Sequence, residues 1–258
     1  MQSNVTEVRH FEHLPFTSAK VIGSRATIGV VVLATDVTLE HELRKMWALP
    51  GVDFYHARIP NAPEITPETL AAMKPLITGS ADLILPGAPM DVLAYGCTSA
   101  SIVLGSDVVS AQLRAAKPHA KTTNPALAAQ VAFKALDARR IGVLTPYSRN
   151  VNAMVQNALE EAGFAVPVFG SFNEPHDPTV ATIDATSVKS ALARIVAEAD
   201  VDAVFISCTS VRIAEHIAEI EQELNVPVTS SNHAMAWHCL RLAGIDDKLP
   251  QFGRLFTL

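Results

Sequence analysis

The chain has 258 residues, of which 49% are hydrophobic, 18% charged and 6% aromatic. That supplies a sizeable core for one large or two small domains, and it excludes a disordered chain. Twenty Lys and Arg against 26 Asp and Glu leave a formal charge of −6, which repels nucleic-acid backbones and anionic membrane surfaces alike. No apolar run approaches the ~20 residues of a spanning helix, Ile28–Ala34 being among the longest. The first 26 residues carry Glu7, Arg9 and Glu12 with no apolar core, so no secretory leader is expected. Three cysteines are too few, and odd in number, for a disulfide framework, and the expectation is a cytoplasmic protein with free thiols.

After this polar preamble, Thr27–Leu33 is a β-branched apolar run and predicts a strand buried on both faces. Leu39, Leu43 and Met46 share one face of a helix predicted over Leu39–Leu49. Val52–Ile59 reads as a second strand, and Pro67–Leu76 as a helix with proline in its first turn. Asp82–Leu85 reads as a short strand, and Met90–Tyr95 leads into Gly96-Cys97-Thr98-Ser99. Ile141–Leu144 is a further strand, ended by Thr145-Pro146-Tyr147, and His233–Leu242 is helix-like. The alternation predicts an α/β fold with parallel sheets covered by helices.

The second half repeats the first. Gly29 of "TIGVVV" precedes Cys97 by 68 residues (97 − 29), and Gly142 of "RIGVLT" precedes Cys208 by 66 (208 − 142). Thr-Ser follows each cysteine, and an Asp-bearing approach precedes each, Ala81–Ile84 in one half and Asp202–Ile206 in the other. Thr122-Thr123-Asn124 and Ser230-Ser231-Asn232 follow at 27 (124 − 97) and 24 (232 − 208) residues. We read two similar flavodoxin-like or Rossmann-like halves related by a pseudo-twofold axis. Residues 1–120 with 230–258 form the first, including the polar extension 1–26, and residues 121–229 form the second. Ligands of open parallel sheets bind beyond the carboxyl ends of the strands, so Cys97 and Cys208 are expected on opposite walls of one cleft.

A strand–Cys-Thr-Ser–helix element can bind a carboxylate at the helix N-terminus, lower the cysteine pKa and add two hydroxyl donors. One copy is commonly no more than a buried cysteine before a helix cap; two copies at matching positions favour function. Two thiols facing a small acid suit two reactions. One is proton removal and return on opposite faces of a carbon, a racemisation; the other is thiolate addition to a double bond, rotation and elimination, a cis–trans isomerisation. Neither requires a cofactor. Cys239 has no counterpart and reads as a core residue. No His-Glu-x-x-His, Gly-x-Gly-x-x-Gly, phosphate-loop or Cys-x-x-Cys pattern occurs, so no metal, nucleotide or redox site is expected. Tyr147 either projects into the cleft or packs at its strand end, and Asp36 either faces the cleft or caps the helix from Leu39.

The doubled Cys-Thr-Ser, the "LTPY" after the mid-chain strand and the duplicated halves resemble the Asp/Glu racemase superfamily. Within it the chain is most similar to the maleate cis–trans isomerase and arylmalonate decarboxylase branch, including proteins assigned to ectoine utilisation. The resemblance spans residues ~27 to 258. It implies a cofactor-independent isomerase of a small carboxylic acid, assembled as a dimer or larger, with Cys97 attacking the double bond and Cys208 handling the proton. Thr98, Ser99, Tyr147, Thr209 and Ser210 would hold carboxylate oxygens. Arylmalonate decarboxylases have glycine at the first cysteine, so Cys97 argues against decarboxylation. The alternatives are racemisation of an amino acid or N-acyl amino acid, in ectoine breakdown, and a non-catalytic small-acid binder, against which the two retained thiols speak. Asp36 stands where the family has a carboxylate-binding asparagine, and a second such asparagine falls near Asp177. Aspartate repels a carboxylate unless protonated, so the substrate is expected to carry an amino or other donor group.

Overall fold

The computed structural model describes residues 8–19 and 22–258; the parts of the preamble at 1–7 and 20–21 lie outside them. In chain order the first half contains β1 (Ala26–Leu33), α1 (Leu39–Met46), β2 (Val52–Ile59), α2 (Pro67–Ala71), α3 (Ile77–Asp82), β3 (Val92–Gly96), α4 (Thr98–Leu104), α5 (Ser106–Ala116), β4 (Lys121–Thr123) and α6 (Pro125–Ala135). The second contains β5 (Arg140–Thr145), α7 (Arg149–Glu161), β6 (Ala165–Ser171), α8 (Asp177–Val180), α9 (Ala185–Glu198), β7 (Ala203–Ile206), α10 (Ile217–Leu224), β8 (Val228–Ser230) and α11 (Ser231–Leu242). Two four-stranded parallel sheets result, with orders β2-β1-β3-β4 and β6-β5-β7-β8. The second order is the first with every strand moved on by four, so the repeat read from the sequence is a repeat of topology.

The same polar latch sets the register in both halves. Asp91, just before β3, accepts the Thr27 amide at 2.7 Å and donates its own amide to the Thr27 carbonyl at 3.0 Å. Asp202, just before β7, accepts the Arg140 amide at 2.8 Å and donates to the Arg140 carbonyl at 2.7 Å. Each aspartate lies six residues before its cysteine (97 − 91 and 208 − 202). The true counterpart of the approach to β7 is therefore Asp91–Gly96.

The expected strand at Asp82–Leu85 does not form. Ile77, Ala81 and Ile84 are all buried, a helical spacing that draws the segment into α3 and the turn after it. The single helix expected over Pro67–Leu76 is also broken. It stops at Ala71 and resumes as a 3-10 turn at Lys74–Leu76, where Pro75 has no amide to continue an α-helix. The first helix ends at Met46, short of Leu49, because Pro50 and left-handed Gly51 turn the chain into β2. Registers also correct one landmark. Asn124 and Ser230 are the equivalent helix caps, accepting the amides of Leu127 and His233, and Asn232 lies two residues further on, within the first turn.

The last helix of each sheet crosses to the other half. After β4, α6 packs its Phe133 edge-on against Phe205 of β7, ring centroids 5.5 Å apart. After β8, α11 packs on α1, β3 and β4, and its Ala236 carbonyl accepts the Trp47 indole N–H at 3.0 Å. We propose these crossings as the natural division of the chain; β4 carries the first sheet past the expected boundary at 120.

Gly96 is the close approach that lets the first cysteine's strand run under α1. A Cβ there would lie 2.4 Å from Leu39 Cδ2 and 3.1 Å from the Val31 carbonyl oxygen. Gly96→Ala should therefore lower stability by about 1–3 kcal/mol in urea unfolding; an unchanged midpoint would show that α1 yields freely.

Candidate active site

β3 and β7 end side by side at the junction of the halves, and their final turns deliver the chemistry. Cys97, Thr98, Ser99, Tyr147, Cys208 and Thr209 line one cavity, covered by Asn61, Ile65, Leu70 and Met73. Its free volume is about 20 Å³, the room of a single water, so a four-carbon acid gains access only when this cover moves. The cover is pinned by the second half: Ile65 N–H donates to the Pro175 carbonyl and Asp177 N–H to the Pro63 carbonyl, both at 2.9 Å.

The halves are joined beneath the cavity by buried polar contacts. Glu42 of α1 is fully buried; its Oε1 accepts the amides of Ile213 and Ala214, both at 2.7 Å, and its Oε2 accepts Asn232 Nδ2 at 2.7 Å. Asn232 Nδ2 also donates to the Thr209 carbonyl at 2.7 Å. The Thr38 hydroxyl donates to the Ser210 carbonyl at 2.9 Å, and the Thr98 hydroxyl to Ser231 Oγ at 2.7 Å. The loop carrying Cys208 is thus held by the first half as firmly as by its own.

The two cysteines are not alike. Cys97 caps α4, its carbonyl accepting the Ser101 amide, and its Sγ lies 3.7 Å from Ser99 Oγ. No helix follows Cys208. An irregular segment, bent at Thr209–Val211, runs to a 3-10 turn at Ala214–His216, where Glu42 and Thr38 bind its polar groups. The expected acidification of the thiols fails for a related reason. Burial pushes Cys97 up to about 12, against the pull of the Ala100 amide and Ser99 hydroxyl, and the negative Asp177 and Asp36 push further. Burial, then Asp177, raises Cys208 as well, opposed by the Tyr147 hydroxyl and the Ser210 amide. The Tyr147 phenol is buried and raised, and faces both Cys208 and Ser99.

Asp36 and Ser210 stand behind the lining. Asp36 Oδ1 accepts the Thr38 and Leu39 amides at 2.7 and 2.8 Å, the helix-start role weighed for it. Its Oδ2 is buried without a hydrogen bond of normal geometry, with Thr209 beside it. Ser210 Oγ donates to Asp177 Oδ1 at 2.6 Å, so that hydroxyl is already engaged. The composition and motif reading missed Thr35, Glu42 and Asn61. Asn61 had a faint signal, a polar residue between two prolines just past a strand end; Glu42 had one in its spacing, a carboxylate within the apolar face of Leu39, Leu43 and Met46.

Asp36 is raised to about 6 and Glu42 to about 7, both chiefly by desolvation. Their protonated forms therefore favour the fold. That contribution is complete below about pH 4 and is lost as pH rises through 6 and 7. The melting temperature should fall between pH 5 and pH 8, and Asp36→Asn should reduce the fall; a flat or rising profile would contradict the burial.

The sequence profile of the arylmalonate decarboxylase family matches residues 64–256. A maleate isomerase of Nocardia farcinica is 31% identical over 238 residues, covering 88% of this chain and 94% of its own. A solved mutant of the Nocardia farcinica maleate cis–trans isomerase, holding a covalently bound succinylcysteine intermediate, superposes with a TM-score of 0.78 at 26% identity over 90% of this chain and 98% of its own. A double mutant of arylmalonate decarboxylase in liganded form superposes at 0.80, also at 26% identity, over 90% of this chain and 98% of its own. The chain belongs to the arylmalonate decarboxylase family, within the maleate isomerase and arylmalonate decarboxylase branch of the Asp/Glu racemase superfamily.

Proposed function

We propose that the protein is a two-cysteine cis–trans isomerase of a small cis-unsaturated carboxylic acid of the maleate type, working without a cofactor. The observation that carries this reading is the meeting of Cys97 and Cys208, from opposite halves, in one cavity lined with hydroxyls. The succinylcysteine of the Nocardia farcinica relative supports a covalent thioether. All three cysteines here are free thiols, which supports a reducing, cytoplasmic setting.

In this reading Cys97 Sγ bonds to one alkene carbon, and the π electrons move to the carbon beside the carboxylate. That carbon takes a proton from the Cys208 thiol, and the proton released by Cys97 replaces it on Cys208. The Ser99 and Tyr147 hydroxyls stand between the two sulfurs. The former double bond is now single and rotates. As the C–S bond breaks, the proton on Cys208 passes to the departing Cys97 sulfur while Cys208 takes the carbon-bound proton, and the trans acid leaves. The hydroxyls of Ser99, Tyr147 and Thr209 hold the carboxylate throughout.

Proton NMR of the reduced enzyme with maleate should show fumarate forming. Cys97→Ser and Cys208→Ser should each slow it by about 10²–10⁴-fold. Isomerisation that survives Cys97→Ser would overturn the mechanism.

A further inference from the structure

The cavity has acids and no base. Glu64 and Asp177 line it, Asp36 lies behind Thr209, and no Lys, Arg or His is among the lining residues. Neither Asp36 nor Asp177 forms an ion pair among the described residues. Arg58 comes near on the far side. Its Nη1 donates to the carbonyls of Leu33, Ala34 and Asp36 at 3.1, 3.2 and 2.8 Å, while its Nη2 donates to Glu40 at 2.6 Å. Its charge is spent there, outside the cavity.

The hydrogen bonds around Asp177 have a fixed direction. The Thr35 amide can only donate, and it meets Asn61 Oδ1 at 3.2 Å, so Asn61 Nδ2 is the atom that donates to Thr35 Oγ1 at 2.8 Å. Thr35 is left with one proton, which goes to Asp177 Oδ2 at 2.5 Å. Ser210 donates to Oδ1. Asp177 thus accepts one hydroxyl on each oxygen and keeps acceptor capacity on both. Asp36 Oδ2 is a second buried acceptor, on a residue 1% exposed, with the Thr209 hydroxyl beside it but no hydrogen bond of normal geometry, and buried acceptors are seldom left unpaired.

A dianion such as maleate brings only acceptors and more negative charge to this end. We propose that the substrate is a cis-unsaturated acid with a carboxylate at one end and an N–H-bearing group, a carboxamide or an ammonium, at the end facing Asp177, with Asp177 as the residue that selects it and Asp36, behind Thr209, adding to the negative field there. The inference rests on the isomerase reading and refines its substrate. It also accounts for the resting thiols: the group that satisfies Asp177 weakens the negative field that opposes a thiolate.

The test compares three compounds on the wild-type enzyme by NMR: maleate, its monoamide maleamate, and (Z)-4-aminobut-2-enoate. The expected result is a kcat/KM at least about tenfold higher for maleamate or the aminobutenoate than for maleate, and whichever is faster identifies the donor group. Asp177→Asn should shift the ratio toward maleate. A wild-type preference for maleate, unmoved by Asp177→Asn, would overturn the inference and leave the isomerase standing. If none of the three is isomerised, the isomerase reading falls. Recognition is then read from melting shifts of the Cys97→Ser protein, where greater stabilisation by maleate than by the two N–H donors overturns the selectivity as well.

Discussion

Glu42 has neither solvent nor a cation around it, yet it collects three hydrogen bonds, two from the backbone of the Cys208 loop and one from Asn232 of α11. Each of those donors belongs to a segment that must be placed against the first half for the two cysteines to share a cavity. A buried carboxylate is costly unless fully satisfied, so this contact tolerates only one mutual arrangement of the halves. The crossing of α6 and α11 adds the apolar part of the same constraint. Each last helix buries part of its surface against the other half, so the halves share one core around the site they enclose.

From this junction follows the electrostatic character of the cavity. Removing water from the thiols and from Asp36 raises all of them, and no protein cation compensates. At rest the closed cavity opposes a thiolate on either sulfur, and it is covered by a segment whose latch at Pro63–Ile65 and Pro175–Asp177 couples the loops after β2 and β6.

Much of the fold was legible in the sequence because the repeat is carried by side chains with local jobs. β-branched runs mark β1 and β5, and the Cys-Thr-Ser pairs mark the ends of β3 and β7. The misreadings came where local chemistry had two solutions. Asp82–Leu85 is apolar enough for a strand, and only the burial of Ile77, Ala81 and Ile84 on one side settles it as the tail of α3. The helix after Cys208 was expected by analogy with the first copy, but Glu42 and Thr38 bind the polar groups of that loop in a non-helical course, and no residue near Cys208 announces them. Desolvation is likewise a property of the closed cavity. A helix-terminus argument at Cys97 has the right sign for the amides and still loses to burial.

The central claim, that Cys97 and Cys208 act as a pair on one substrate, is tested most directly by intact-protein mass spectrometry of Cys208→Ser after incubation with maleate and maleamate. The account predicts an added mass of one substrate molecule, mapped by peptide digestion to Cys97 and absent from the double variant lacking both thiols. No adduct on Cys97, or labelling of Cys239 in its place, would contradict it.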